Sequence, residues 1–280
     1  MKLFVKIFLV TIVISSSVLA QKAKISSEEI VQKHLASIGN PDARAAAKSR
    51  VLVGKAVLAS KAGYSGQIGG PVQYAADANK LLLAIVFNSN DYKYEKLAFD
   101  GKEISYGRPF SNELTILGDF VRAQPSIVKS SLFGGVYSAA WALENWNAKK
   151  IKAEYVGEET ADGRNFHKLR VRPPGSSELK VTLFFDAVTF QHVLTQYQYT
   201  IQPFLATSDS TQNSRAKAQY FSLTEQFSDF KKVGDLVLPL GYSINITNQY
   251  EDRTEDLTWR MKFEQVFFNE PLESSVFKVS

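Results

Sequence analysis

The strongest constraint on the fold is a two-residue alternation of apolar and polar side chains through the second half of the chain. In one such stretch, the apolar Trp259 and Met261 alternate with Arg260 and Lys262. The same pattern runs through residues 169–172, 193–201, 242–247 and 257–264. It predicts antiparallel strands that bury one face and expose the other to water.

Further strands are predicted in the first half. The pattern begins, less cleanly, at residues 51–58, and a glycine-rich turn follows at residues 63–70. Residues 81–87 form a wholly apolar run of strand length, which predicts a strand covered on both faces. Asp100-Gly101 is typical of a tight hairpin. We expect an α+β fold with a large, curved antiparallel sheet of about ten strands.

A helix is predicted to precede the sheet. Ser26 and Glu29 have the spacing of a capping box, in which the serine accepts an amide proton and the glutamate reaches back to the cap. Its apolar positions lie on one side: Ile30, Val31, Leu35 and Ile38. Gly39 is expected to end the helix as a left-handed residue.

A helical insert is predicted at about residues 111–147, between strands. Leu114, Leu117, Phe120 and Val121 recur at intervals of three and four residues. A second helix is expected to begin at Pro125, and after Gly134-Gly135 the helical pattern is expected to resume. The insert is so apolar that it must lie against the sheet, either as permanent core or as a movable cover.

The first twenty residues are predicted to be a cleavable signal peptide. Lys2 and Lys6 precede an apolar run at residues 7–14, and small residues lead to Ala20, after which cleavage is expected. The apolar run is far shorter than the roughly 20 residues of a membrane-spanning helix. We therefore expect a periplasmic or secreted protein whose residues 21–280 form a single domain.

The composition narrows the possible functions. The chain contains no cysteine, which excludes disulfides, thiolate ligands and thiol nucleophiles. The formal net charge of +5 is spread along a chain of mixed charge, without the clustered basic and aromatic residues of a nucleic-acid-binding face. No nucleic-acid partner is expected.

The order of these parts resembles that of the LolA-like outer-membrane lipoprotein carriers and their wider superfamily. The resemblance lies in the signal peptide, the capped helix of residues 27–35 followed by Gly39, the long sheet, the apolar insert and the ending at residues 268–277. In that ending, a strand is followed by the turn at Pro271 and by Phe277, which is expected to be buried. The chain is longer than the carriers of this family.

The resemblance implies an open half-barrel whose concave face is covered by the insert, and a hydrophobic ligand held between them. The implied ligand is a lipid, a lipoprotein acyl chain or another apolar small molecule, with an envelope protein partner and transient membrane contact as further possibilities. The residues expected to line the pocket, or to be ordinary packing, are Leu117, Phe120, Val121, Ile127, Val128, Leu132, Phe133, Val136, Tyr137 and Trp141.

The sequence shows no arrangement of residues typical of a catalytic or metal site. His34, His167 and His192 lack metal-ligand spacing; we expect His34 and His192 near solvent and His167 in the core. Gly63-Tyr64-Ser65-Gly66 only approaches the nucleophile elbow of hydrolases. We expect a non-enzymatic protein without cofactor or metal. The alternatives are an envelope sensor or protein-interaction module, and a hydrolase with dispersed catalytic residues.

Overall fold

A computed structural model describes residues 25–60, 67–109, 113–176, 178–201, 219–250 and 253–279. The predicted signal peptide, the Gly63-Tyr64-Ser65-Gly66 sequence and the predicted turn at residues 251–252 lie outside these ranges. Within them, no helix is long and apolar enough to cross a membrane.

One antiparallel sheet dominates the described part of the chain and confirms the expected fold class. It has twelve strands there, against the ten or so expected from the sequence. The strands are β1 (Ser49–Ser60), β2 (Gln67–Asp77), β3 (Lys80–Val86), β4 (Tyr94–Phe99), β5 (Ile104–Tyr106), β6 (Lys152–Ala161), β7 (Arg164–Arg172), β8 (Lys180–Asp186), β9 (His192–Ile201), β10 (Gln219–Val233), β11 (Leu236–Tyr250) and β12 (Arg253–Phe268).

The sheet consists of two meanders that meet at one seam. Its spatial order is β5-β4-β3-β2-β1-β12-β11-β10-β9-β8-β7-β6. At the seam, Arg50 lies opposite Phe268 and Leu58 lies opposite Trp259. β5 and β6 are the edge strands and do not pair with each other, so the sheet is open.

The predicted N-terminal helix is confirmed as α1 (Ser27–Ile38), and α2 (Pro41–Ala46) follows it. Ser26 Oγ accepts a hydrogen bond of 3.1 Å from the Glu29 amide, as the capping box requires. Gly39 ends the helix, but its φ of 159° and ψ of 173° are close to extended rather than left-handed. A Cβ atom at Gly39 would lie 3.0 Å from the Asp235 carbonyl oxygen, so glycine allows the chain to pass close to the β10–β11 turn.

The glycines at the start of β2 have a different role from the one predicted. Gly69 and Gly70 were expected in a turn but belong to the strand. A Cβ atom at Gly70 would lie 1.8 Å from the Val86 carbonyl oxygen. The missing side chain therefore permits a close approach of two backbones, which local sequence does not distinguish from a turn.

The C-terminal segment covers the outer face of β1 to β4. Phe277 is fully buried there, as predicted, and forms a small second core with Val51, Ala75 and Leu82. The Val279 amide donates a hydrogen bond of 2.9 Å to Ser105 Oγ. Most of the apolar β3 is consequently covered on both faces, as the sequence predicted, and its last residue, Val86, is 48% exposed.

Replacing Phe277 with alanine tests this second core. Phe277→Ala should lower the free energy of unfolding by about 3–5 kcal/mol, because it removes a fully buried ring and leaves a cavity. Urea denaturation monitored by circular dichroism measures the loss. Phe267→Ala, at a phenylalanine that is 41% exposed, is the control and should cost less than about 1 kcal/mol. Equal losses would contradict the described position of the C-terminal segment.

Candidate functional site

The insert, defined here as residues 113–151, lies against the inner face of the sheet. All ten residues expected to line a pocket are at most 2% exposed: Leu117, Phe120, Val121, Ile127, Val128, Leu132, Phe133, Val136, Tyr137 and Trp141. They join one continuous core with the inward side chains of the sheet. The structure thus brings the candidate residues together, and in this conformation they pack against the sheet.

The insert is less helical than its sequence predicts. Its helices are α3 (Ile116–Ala123) and α4 (Ser126–Lys129). The expected third helix is wrong, because only one 3-10 turn, Gly135–Tyr137, follows and turns continue beyond it. Gly134 and Gly135, with φ of 80° and 51°, break the helix in the left-handed region that glycine favours.

A buried carboxylate on β10 holds the middle of the insert. Glu225 Oε1 accepts a hydrogen bond of 2.7 Å from the Gly134 amide, and Glu225 Oε2 accepts one of 2.7 Å from the Tyr197 hydroxyl. The Tyr242 hydroxyl also donates to Oε1. A Cβ atom at Gly134 would lie 2.2 Å from the Tyr74 hydroxyl oxygen. The insert backbone is therefore pressed directly onto the sheet at this point.

Arg50 on β1 holds the next residues of the insert. Its side chain is buried, and its guanidinium donates hydrogen bonds to the carbonyl oxygens of Val136 and, at 3.3 Å, Ser138. Burial lowers the pKa of Arg50 to about 10, against the opposing effect of Glu144. The group thus keeps its positive charge at neutral pH. The Tyr137 hydroxyl adds a hydrogen bond of 3.0 Å to the Pro239 carbonyl oxygen.

His34 and His192 are buried, so the expectation that they lie near solvent is wrong. The Trp141 indole donates a hydrogen bond of 3.0 Å to His34 Nε2, so His34 Nδ1 carries the proton that binds the Phe190 carbonyl oxygen. Burial lowers the pKa of His34 to about 4. His192 stacks on Trp141 with ring centroids 5.3 Å apart, and burial holds its pKa well below the usual value. The sequence does not predict the burial of either histidine, because the residues that cover them are distant along the chain.

α3 contacts the sheet differently from the rest of the insert. Phe120 meets the Tyr199 ring edge-on at 5.2 Å between centroids. Within the described ranges, the side chains of residues 116–123 make no hydrogen bond to the sheet. The residue that caps the helix, Thr115, donates a hydrogen bond of 2.8 Å to Glu95 Oε1 on β4. The contacts of α3 itself are therefore apolar.

Glu225 and Glu95 have strongly perturbed acidities. Burial raises the pKa of each carboxyl from 4.5 to about 7, although tyrosine hydroxyls that donate to the carboxylates oppose the increase. Neither residue is among the candidates predicted from the sequence. The signal was present: Glu225 lies at the same parity as Leu223 and Phe227 on β10, so an acidic residue occupies an inward position.

The described residues contain no group of three or more histidine, aspartate or glutamate side chains that could hold a metal ion.

His167 is buried, as expected, and its Nδ1 lies 3.4 Å from Glu158 Oε1. The Thr195 hydroxyl lies 2.9 Å from His192 Nε2, and both side chains are fully buried in the core.

Several solved structures resemble this chain, although no family model and no curated protein matches it. A LolA superfamily protein from Nitrosomonas europaea has a TM-score of 0.47 and 11% identity over 91% of this chain and 99% of its own. A domain described as an outer membrane lipoprotein-sorting protein from Vibrio parahaemolyticus has a TM-score of 0.46 and 11% identity, over 89% and 94%. A DUF1329 family protein from Desulfovibrio piger has a TM-score of 0.43 and 8% identity, over 90% and 96%.

These structures have TM-scores of at most 0.47 and at most 11% identity with the chain, so they assign it no function.

Gly134→Ala should destabilise the protein strongly. The left-handed backbone costs alanine about 1 kcal/mol, and the clash with Tyr74 adds about 1–3 kcal/mol. Gly163→Ala is the control, because Gly163 has a φ of 72° but nothing within 4 Å of its Cβ position. Urea denaturation should show a loss at Gly134 at least twice that at Gly163. Similar losses would mean that the insert does not press on Tyr74.

The pH dependence of stability tests the environment of Glu225. In the native state the Glu225 carboxyl keeps its proton up to about pH 7, whereas in the unfolded state it keeps it only to about pH 4.5. Glu225 therefore contributes stability at low pH, and this contribution is lost as the pH rises through 7. His34 and His192 act in the opposite direction, because their lowered pKa values cost stability as the pH falls below 6.5. Both histidines are present in wild type and in Glu225→Gln, so their contributions to the pH dependence cancel in the difference between the two proteins.

The free energy of unfolding of Glu225→Gln should rise relative to wild type by about 2–3 kcal/mol between pH 5 and pH 8. Denaturation curves across this range measure the difference. Glu264→Gln, which removes an exposed carboxylate, should give a curve parallel to wild type. A flat difference for Glu225→Gln would show that the carboxylate is solvated.

Proposed function

We propose that the chain is a non-enzymatic carrier or binding protein of the cell envelope for a lipid, a lipoprotein acyl chain or another apolar molecule. The ligand would lie between the inner face of the sheet and the insert, in the space that α3 now occupies. The predicted signal peptide supports an envelope location. The observation that carries the proposal is that one part of the insert is hydrogen-bonded to the sheet and α1, whereas the helix α3 contacts the sheet through apolar side chains.

The floor is the part of the insert from Ile127 to Trp141. Four sheet or α1 residues anchor it through hydrogen bonds: Glu225, Arg50, Pro239 and His34. Breaking these bonds would leave buried polar groups unpaired, at about 1–3 kcal/mol each. The floor residues Ile127, Val128, Leu132, Phe133, Val136, Tyr137 and Trp141 therefore form the fixed side of the site.

The movable side is α3, with Leu117, Phe120 and Val121. Exposing three such side chains costs about 5–9 kcal/mol, at 1.5–3 kcal/mol each. The closed state therefore predominates without ligand. An acyl chain gains about 0.8 kcal/mol for each buried methylene, so about ten methylenes offset the opening. A long-chain lipid is large enough to bind by displacing α3, and a short apolar molecule is not.

Phe120 and Phe133 provide a matched pair for a test, since both are buried phenylalanines of the insert. Phe120→Asp should fold, because α3 can turn the charge towards water, but the variant should lose the ligand. Phe133→Asp should fail to fold, because the floor cannot move to expose the new carboxylate to water and an unpaired buried charge is costly. Circular dichroism measures folding, and mass spectrometry of solvent extracts measures acyl species bound to the native protein.

Asp119→Asn, on the exposed side of α3, is the control and should retain both fold and ligand. Wild-type protein should release acyl species in stoichiometric amount. Repeated extracts without acyl species, or a Phe120→Asp variant that does not fold, would overturn the proposal.

A further inference from the structure

The outer face of β9 to β12 has an unusual composition for a solvated sheet surface. Its outward side chains are mostly amides and hydroxyls, whereas the outward face of β6 and β7 carries pairs such as Glu154 with Arg170. Cross-strand register places these neutral groups side by side: Gln196 beside Thr224, Gln198 beside Ser222, and Ser222 beside Thr247. Each amide or hydroxyl can both donate and accept hydrogen bonds.

This face is recessed rather than flat. An open groove of about 920 Å³ is lined by Gln198, Ser222 and Thr247 among others. A second groove, of about 390 Å³, is lined by Gln196, Thr224 and neighbouring residues of β11 and β12, which include the charged Arg260. Because Gln196 and Gln198 are two residues apart on one strand, the two grooves adjoin at about 7 Å. From Tyr220 to Gln226 on β10 they span about 20 Å, which suits an extended chain.

One border of the groove is cationic. Lys152 lies directly opposite Arg172, and the pairing of Val171 with Val181 places Lys180 opposite Arg172 on the other side. Among the described residues, none of these three cations forms an ion pair. Like charges in opposite positions are destabilising, and Glu178 is the acidic residue that lines the larger groove beside them. The border is thus complementary to an anion supplied from outside.

An exposed aromatic ring lines the same groove. Tyr220 is 56% exposed on the outer face, next to Thr200 and Gln249. A tyrosine ring offers an apolar surface together with a polar hydroxyl. Such a ring can stack on the apolar face of a sugar while amides and hydroxyls bind the sugar's hydroxyl groups.

We infer that this outer groove binds an acidic polysaccharide, a hydroxyl-rich chain that bears carboxylates. Neutral donors and acceptors match the hydroxyls, the cationic border matches the carboxylates, and the length of the groove matches a polymer. A lipid surface fits less well, because the groove is recessed and the residues from β9 to β11 that line it are uncharged. The inference does not rest on the proposed function, although Tyr199 both lines the larger groove and contacts Phe120 of α3.

Calorimetric titration of the mature protein with alginate, a polyuronate, tests the inference at about 150 mM salt, where long-range attraction is screened. Arg172→Gln combined with Lys180→Gln should weaken binding at least tenfold, and Tyr220→Ala at least threefold. The matched control combines Lys55→Gln with Lys262→Gln, an opposed lysine pair on the outer face outside the groove. It should change affinity less than twofold.

Two further probes separate a glycan from other anions. Poly-glutamate should bind at least tenfold more weakly than alginate, because it offers carboxylates without hydroxyls, and vesicles containing phosphatidylglycerol should not bind through these residues. Absence of alginate binding would overturn the inference. So would equal affinity for poly-glutamate, equal loss in the lysine control, or vesicle binding that disappears in the Arg172→Gln and Lys180→Gln variant.

Discussion

The structure depends on covering the inner face of an open sheet. Every second side chain of the long strands points to that face, and most are large and apolar. A single open sheet leaves such a surface in contact with water, which is unfavourable in proportion to its area. The insert provides the cover, so one segment of the chain both completes the core and occupies the space where a ligand would bind.

The interior under this cover contains more polar groups than an ordinary apolar core. Glu225, Glu95, Arg50 and His34 are all buried, and each has hydrogen-bond partners. Apolar contacts alone would allow the insert to slide along the sheet, because the hydrophobic effect is not directional. Hydrogen bonds from the sheet to individual backbone atoms, such as the Gly134 amide, fix one position of the floor. Beyond the bond from its cap Thr115 to Glu95, α3 is held by side-chain packing.

Local signals in the sequence were sufficient for most of the fold. Alternation identified the strands, Asp100-Gly101 identified its hairpin, and Ser26 identified the start of α1, because each is decided within a few residues. The polar interior was not predicted. Whether Glu225 or His192 is buried depends on an insert far away in sequence, and the glycines of β2 and the insert serve close approaches that no local pattern reveals.

The seam between β1 and β12 has a consequence for how the molecule folds. Most strands pair with their immediate neighbour along the chain, so each meander can form by short-range zippering. Arg50 and Phe268, by contrast, must find each other across almost the whole chain. Closing a loop of about 200 residues costs about 3 kcal/mol more entropy than closing one of ten. The seam therefore forms late, and until then two half-sheets with unpaired edges coexist on one chain, which is the stage most open to mispairing with other chains.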